Sequence, residues 1–265
     1  MSTREAVGVL PGSSGASGVP SDADFARLAA AEDASFWFRG RNALLVDTLA
    51  REFPLARSFL EVGCGNGYVL AAVARARPGI RVAGSDLSTA GLEHARRRVP
   101  AASLLRADAR ALPLDGEFDV AGAFDVIEHV AEDEAVLAAL RRAVRPGGGV
   151  IVTVPQHRWL WSETDRYSGH QRRYGRRELA AKLERAGLRL RWTSSFVTLL
   201  LPLMAASRGW QALSPRPYDP GRELRGAGRL DGLLEQAIRL EARAIARGVR
   251  LPAGGSLLAV AERPA

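Results

Sequence analysis

The sequence predicts an α/β fold built on a largely parallel sheet, and three observations carry that prediction. A short apolar run, Phe59-Leu60-Glu61-Val62, opens directly into Gly63-Cys64-Gly65-Asn66-Gly67, the pattern of a buried strand that turns sharply into a helix. Further apolar runs near 80–85, 103–107, 118–124 and 149–154 alternate with segments of helical spacing, which puts helices on both faces of parallel strands. Asp86, Asp108 and Asp125 stand at or just past the ends of three of these runs, the edge at which open α/β sheets bind ligands.

In chain order, residues 1–20 are rich in Gly, Ser and Pro and predict a disordered leader. Residues 21–56 predict an N-terminal helical lid, with helices at 22–34 and 40–52 joined at Ser35-Phe36-Trp37-Phe38-Arg39. The Rossmann-like ligand domain is expected over 57–196. Helices at 69–76, 89–99 and 133–144 fill its right-handed crossovers, and a helix at 176–187, closed by Gly187, leads to a sixth strand at 189–196. Residues 256–262 read as the last strand, within a closing segment 256–265. The stretch 197–255 is far longer than a hairpin loop needs, so a helical insertion is expected there. Leu230, Leu233, Leu234, Ala237 and Leu240 give it helical apolar spacing.

The glycine turn carries the first chemical signal. A dinucleotide site wants a small residue three positions after its second glycine, and Tyr68 stands there instead. Glu61 would repel a pyrophosphate but suits a cationic or hydroxyl-rich ligand. Asp86, about twenty residues on, is placed to grip ribose hydroxyls; its other reading is a helix N-terminal acid before Ser88. Cys64 reads as a small packing residue rather than a nucleophile. With Asp108 after the third run, Phe124-Asp125-Val126-Ile127-Glu128-His129 closing the fourth, and Arg145-Pro146-Gly147-Gly148-Gly149 before the fifth, the ordered set resembles the class I S-adenosylmethionine methyltransferases.

That resemblance implies a seven-stranded sheet whose last strand is antiparallel, with S-adenosylmethionine as cofactor. It implies a cofactor site of Glu61, Gly63, Cys64, Gly65, Asn66, Gly67, Asp86, Leu87, Asp108, Ala109 and Phe124, with Asp108 and the Ala109 N–H on the adenine. Phe36, Trp37 and Phe38 would close over the cofactor and Arg39 would meet its carboxylate; a helix-packing corner is the other reading of these four residues. Asp125-x-x-Glu128-His129 resembles the ubiquinone-pathway O-methyltransferases, which carry Glu at the first position and some of which use a divalent cation. The shorter Asp125 leaves a metal open, and no metal ligand is assigned.

Asp125, Glu128 and His129 fall on one face at i, i+3 and i+4, so all three are candidate bases, with Asp125 and His129 placed among the catalytic residues; His129 packed beside the cofactor is the alternative. The segment after the fifth strand, from His157 to Tyr174, combines aromatic and polar residues in the manner of an organic acceptor pocket. His170 is its candidate base. Asp165, His170 and the neighbouring arginines pairing with one another is the structural alternative. The phrase Leu160–Tyr174 resembles bacterial methyltransferases whose acceptors are mostly unassigned.

Composition narrows the partners. Apolar residues make up 47% of 265, enough for a core. No apolar run approaches the ~20 residues that cross a bilayer, and no basic-then-apolar N-terminal signal is evident. A lone cysteine excludes an internal disulfide, and a cytoplasmic location is expected. The net charge is +8, yet Lys182 is the one lysine among 37 basic residues; the arginine is spread along the chain without an aromatic-interleaved module, so no nucleic-acid partner is expected. Phe196–Ala206 is apolar, too short to span a bilayer and interrupted by Pro202. It suits a greasy acceptor pocket, peripheral membrane contact, or core or homodimer packing. The expected activity is methyl transfer to a small lipophilic or aromatic acceptor at oxygen. A C- or N-methyltransferase and a noncatalytic cofactor-binding scaffold are the alternatives. Tyr68 and Glu61 speak against a nicotinamide oxidoreductase, and the Asn/Asp-Pro-Pro-aromatic motif of amine-methylating enzymes is missing after the fourth run.

Overall fold

One sheet organises the chain. Its strands are β1 (Ser58–Val62), β2 (Arg81–Asp86), β3 (Ser103–Arg106), β4 (Phe118–Phe124), β5 (Val144–Pro155), β6 (Arg189–Phe196) and β7 (Ser256–Glu262). They lie in the order β3-β2-β1-β4-β5-β7-β6, with β7 antiparallel to both of its neighbours and the other ladders parallel. The computed structural model describes Glu32 and residues 35–213 and 231–265. The expected leader at 1–20 and, Glu32 apart, the part of the expected 22–34 helix up to 34 lie outside them.

Period-2 alternation divides the core between two faces. Leu60, Val62, Ala121, Ala123, Val150, Val152, Val154, Leu257 and Ala259 point to one face. There they meet Leu137 and Leu140 of one helix (Asp133–Ala143) and Leu179 and Leu183 of another (Arg176–Arg185). Phe59, Val120, Ile151 and Leu258 point to the other face. They pack under α1 (Phe36–Glu52) through Leu44, Leu45 and Leu49, and under α2 (Tyr68–Ala76) through Val69, Leu70 and Val73. The remaining helices are numbered in chain order: α3 (Thr89–Arg98), α4 (Asp133–Ala143), α5 (Glu163–Tyr167), α6 (Arg176–Arg185), α7 (Leu201–Leu213) and α8 (Asp231–Ala246).

One expectation is corrected. The residues Phe36 to Arg39, expected to join two helices, belong to α1 itself: Ser35 caps it, accepting the Trp37 N–H at 3.3 Å. Leu233 and Leu240, which carry the helical spacing read in the insertion, are 68% and 58% exposed. The buried face of α8 is Ile238, Glu241, Ala242 and Ile245. A glutamate belongs in that face because its two carboxylate oxygens accept the backbone N–H groups of Thr198 and Leu199 at 3.0 and 2.6 Å, fastening the start of α7.

α8 lies along α1, and the crossing is close because Gly40 has no side chain: a Cβ there would stand 2.7 Å from the Ile238 Cγ2. The helices between β6 and β7 therefore support α1. At the other end of the sheet, one oxygen of buried Asp119 accepts the N–H of Arg57, the N–H of Ser58 and the Ser58 hydroxyl at 2.7, 2.9 and 3.1 Å, joining β1 to β4. Asp119→Ala strands these donors and is expected to lower unfolding free energy by about 3 kcal/mol. A urea denaturation midpoint indistinguishable from the parent's would contradict that role.

Candidate active site

The C-terminal edge of the parallel strands gathers the candidate residues. Gly63, Gly65 and Gly67 all have left-handed backbone, with φ of 70°, 47° and 71°. Their surroundings differ. A Cβ on Gly63 would meet Val126 at 2.5 Å and one on Gly67 would meet Ala95 at 3.0 Å, so both are packed against protein. A Cβ on Gly65 would meet nothing within 4 Å. That open cradle, at a turn leading into a helix, fits a ligand that must approach backbone.

Asp86 braces the cradle. Its carboxylate accepts the Gly65 N–H at 2.9 Å on one oxygen and the Ser88 N–H at 2.8 Å on the other, and each oxygen keeps a further lone pair. Burial raises its pKa and these N–H groups offset the rise. Glu61 is 3% exposed and accepts the Leu70 N–H at 3.0 Å. Burial pushes its pKa up to about 8, against the pull of Arg41 and the Leu70 N–H. Cys64 is buried, its thiol raised by burial, and its Sγ fills the space left by Gly84. Asn66 is also buried, bonding toward Glu32 rather than toward the open cradle.

Some expected residues are engaged elsewhere. Both oxygens of Asp108 are taken by Arg110, at 2.6 to 3.1 Å, and Arg110 reaches on to Glu132 at 2.9 Å. The guanidinium outweighs partial burial and lowers the Asp108 pKa. An adenine amino group can bond Asp108 only if Arg110 turns aside from this part-buried pair. Ala109 packs against the core, and Leu87 gives its carbonyl to Arg106 at 3.0 Å. The Phe124 ring stacks on Phe59 at 6.4 Å and closes over Gly122, so only its backbone can face a ligand. Arg39 is paired with Glu235 of α8 at 2.7 Å. Trp37 stacks on Phe196 at 5.8 Å and Phe38 meets Tyr68 edge-on, both as packing.

The guanidinium that enters the site is Arg41, which sequence reasoning missed. It is 8% exposed and forms an ion pair with Asp125. Helical phase could have found it: Arg41 lies three and four residues before buried Leu44 and Leu45, whereas Arg39 lies off that face. Asp125 has φ of 57°, unusual for a residue other than glycine, and bonds Thr153 through both its N–H (3.0 Å) and its side chain (3.3 Å). His157 and Val197 share the left-handed strain, at 62° and 59°. All three follow C-terminal strand ends on the same edge of the sheet, where such strain accompanies function.

Beyond Asp125, the short helix Ile127–His129 turns Glu128 inward. Glu128 is fully buried and neither carboxylate oxygen has a hydrogen-bond partner. Burial, then the neighbouring Asp125, raises its pKa well above the usual range. His129 stands edge-on to His170 with ring centroids 4.8 Å apart, and its Nδ1 is unpartnered. Burial and His170 lower the His129 pKa to about 4, so the ring is neutral at pH 7. His170 is oriented by Asp165, Nδ1 to Oδ1 at 2.8 Å. Asp165 is fully buried and also bonds Arg173 through both oxygens at 2.7 and 3.0 Å. Burial raises the Asp165 pKa, but His170 and Arg173 outweigh it and hold the carboxyl at about 2.

Ligand atoms of Glu128, His129 and His170 lie within 4.8 Å of one another. Among the described residues this is the cluster with the donors and spacing for a metal ion. It differs from the trio read in the sequence, because Asp125 is held by Arg41 and Thr153 and His170 takes its place. An orphaned buried carboxylate, two imidazoles and a carboxylate behind His170 suit a transition-metal ion, and equally suit proton transfer.

Comparisons with known proteins agree with this geometry. A family model described as a methyltransferase domain matches residues 35–191. A Mycolicibacterium smegmatis protein named as an S-adenosylmethionine-dependent methyltransferase is 35% identical over 160 residues, 58% of this chain and 59% of the relative. A ubiquinone biosynthesis O-methyltransferase of Thiobacillus denitrificans is 40% identical over 113 residues, covering 40% of this chain and 47% of the relative. The chain thus spans about half the length of these relatives. Among solved structures, a chain from a Haloferax volcanii complex of a methyltransferase with its activator aligns with a TM-score of 0.61 at 23% identity, over 92% of this chain and 96% of that one. A geranyl diphosphate methyltransferase in complex with S-adenosylmethionine aligns with a TM-score of 0.57 at 18% identity, over 84% of each chain. At those identities the likeness is one of fold.

His129 links stability to pH. Its folded pKa is depressed below the ordinary 6.5, so its contribution is complete above pH 6.5 and is lost as pH falls toward about 4. The parent is expected to lose about 2 kcal/mol over that interval, allowing for solvent screening of a part-exposed ring. His129→Gln should remove that segment of the profile. Urea midpoints against pH check it, and parallel profiles for the two proteins would contradict it.

Proposed function

The chain belongs to the methyltransferase domain family, and from that premise we propose that it moves a methyl group from S-adenosylmethionine to an oxygen of a small lipophilic or aromatic acceptor. One observation carries the reading: an open glycine cradle braced by a ribose-type carboxylate lies on the same sheet edge as a buried, unpartnered Glu128 beside His129 and His170. When bound, S-adenosylmethionine supplies a methyl group on a positively charged sulfur. Gly65 admits it to the backbone and Asp86 holds its ribose hydroxyls through the lone pairs that Gly65 and Ser88 leave. Arg41 fixes Asp125 at the end of β4. The unpartnered Nδ1 of neutral His129 is an acceptor for a hydroxyl proton, and the imidazolium that results favours the ionised form of Glu128 beside it, lowering the raised pKa of that carboxyl. His170, locked by Asp165, keeps the ring of His129 in place. The overlap with a ubiquinone biosynthesis O-methyltransferase supports oxygen as the acceptor atom.

A second reading of the same cluster is favoured by the two orphaned oxygens of Glu128. Glu128, His129 and His170 would hold a divalent cation, which would lower the pKa of a bound hydroxyl. Metal content of the purified protein, and the heat of Mn²⁺ or Zn²⁺ binding to parent and Glu128→Gln, separate it from proton transfer by the side chains alone.

The test of the main reading is a pair of opposite losses. Asp86→Ala should weaken S-adenosylmethionine binding about 100-fold, the worth of two charge-assisted hydrogen bonds. Glu128→Gln and His129→Ala should leave binding within about threefold and lower turnover on phenolic or prenylated acceptors about 100-fold or more. S-adenosylhomocysteine release measures turnover. Full turnover in both Glu128→Gln and His129→Ala would overturn the assignment.

A further inference from the structure

The described residues include eight large apolar side chains that are exposed, and their distribution is uneven. Six of them, Leu199, Leu203, Trp210, Leu233, Leu240 and Val249, fall between β6 and β7. A seventh, Trp159, is 60% exposed in the short helix Arg158–Leu160, which packs against α7. Leu203, Ala206 and Trp210 recur at helical spacing along the outer side of α7, and Leu199 stands in the turn just before it. Leu233, Leu240 and Arg243 recur in the same way along the outer side of α8, and Arg247 stands just past its end. Glu241 joins the two helices through the Thr198 and Leu199 N–H groups, and Arg208 ties α7 to Thr164 at 2.7 Å.

Among the described residues, the exposed charge on α7 and α8 that has no ion-pair partner is basic. No acid occurs between Val197 and Leu213. On α8, Glu235 is paired with Arg39 and Arg239, Glu241 is buried in its capping role and Asp231 is half-buried, whereas Arg243 and Arg247 are exposed. On the adjoining segment, exposed Glu163 is paired with Arg166, and Arg158, beside Trp159, is paired with Glu178 at 3.3 Å. Exposed tryptophans and leucines accompanied by the exposed arginines Arg243 and Arg247 are the composition of a helix face that rests in the headgroup region of an anionic bilayer. No helix of the described residues is long and apolar enough to cross a membrane, so contact would be peripheral.

We propose that the outer sides of α7 and α8, together with Trp159, form a docking surface for an anionic lipid bilayer. The surface adjoins the ends of β5 and β6, the edge that carries the candidate active site, so an acceptor dissolved in the bilayer enters from it. That second clause rests on the methyl-transfer reading; the docking itself does not.

Sedimentation with vesicles tests the surface without any acceptor. The full chain should pellet with phosphatidylglycerol vesicles and bind pure phosphatidylcholine about tenfold more weakly. The double variants Leu203→Ser with Trp210→Ser, and Arg243→Glu with Arg247→Glu, should each weaken phosphatidylglycerol binding about tenfold or more. All four positions are exposed, and circular dichroism checks that the variants stay folded. Absence of binding to phosphatidylglycerol, or binding that neither variant changes, would overturn the proposal. So would a concentration-dependent dimer, lost in Leu203→Ser with Trp210→Ser, in a protein that ignores vesicles, since a second copy would then cover the face. Vesicle binding and methyl transfer are read separately, so either can fail while the other stands.

Discussion

Burial of carboxylates at one edge of the sheet is the constraint on which the rest of the structure depends. Glu61, Asp125 and Glu128 converge there, and the guanidinium of Arg41 acts on all three. One cation does not neutralise three anions in a low-dielectric site, so the other charges are suppressed by protonation. Glu61 rises to about 8 and Glu128 well above its ordinary value, in both cases chiefly through desolvation. Asp125 takes the ion pair, and it does so with strained backbone. An edge that combines left-handed non-glycine residues, an unpartnered buried carboxylate and an open glycine turn is held by its surroundings rather than by its own preferences.

Those surroundings include the helices between β6 and β7. Arg41 lies on α1, and α1 is held by α8 through the Gly40–Ile238 contact and the Arg39–Glu235 pair. α8 in turn fastens the start of α7 through Glu241. The same segment thus steadies the cation of the site on its inner side and presents the apolar, basic surface on its outer side. A substitution on the inner side would reach the site by moving α1, without touching a ligand.

Much of the fold was legible because its signals are local. The glycine turn, the strand-end acids and the period-2 apolar runs each depend on neighbours in sequence, and right-handed crossovers limit the sheet order to a few options. The antiparallel β7 followed from the family resemblance. Residues whose partners are distant were not legible. Arg39 and Arg41 are two positions apart, and only the packing of α1 decides which one faces Asp125 and which faces Glu235. Leu233 and Leu240 matched helical spacing but ended outside, because Glu241 is needed inside for N–H groups over forty positions away. Asp108 was expected free for an adenine, yet Arg110, two residues on, is close enough to take both its oxygens. Asp165 with His170 and Arg173 had been read as one alternative for that segment, and the structure adopts it while also bringing His170 to His129.

The central claim is that the turn at Gly65 is a cofactor site. Its most direct test is calorimetric titration of S-adenosylmethionine into the parent chain and into Gly65→Val, which fills the open cradle. The account predicts one site with micromolar affinity in the parent and its loss in the folded variant. Equal affinity in the two proteins, or no heat from a folded parent, would contradict it.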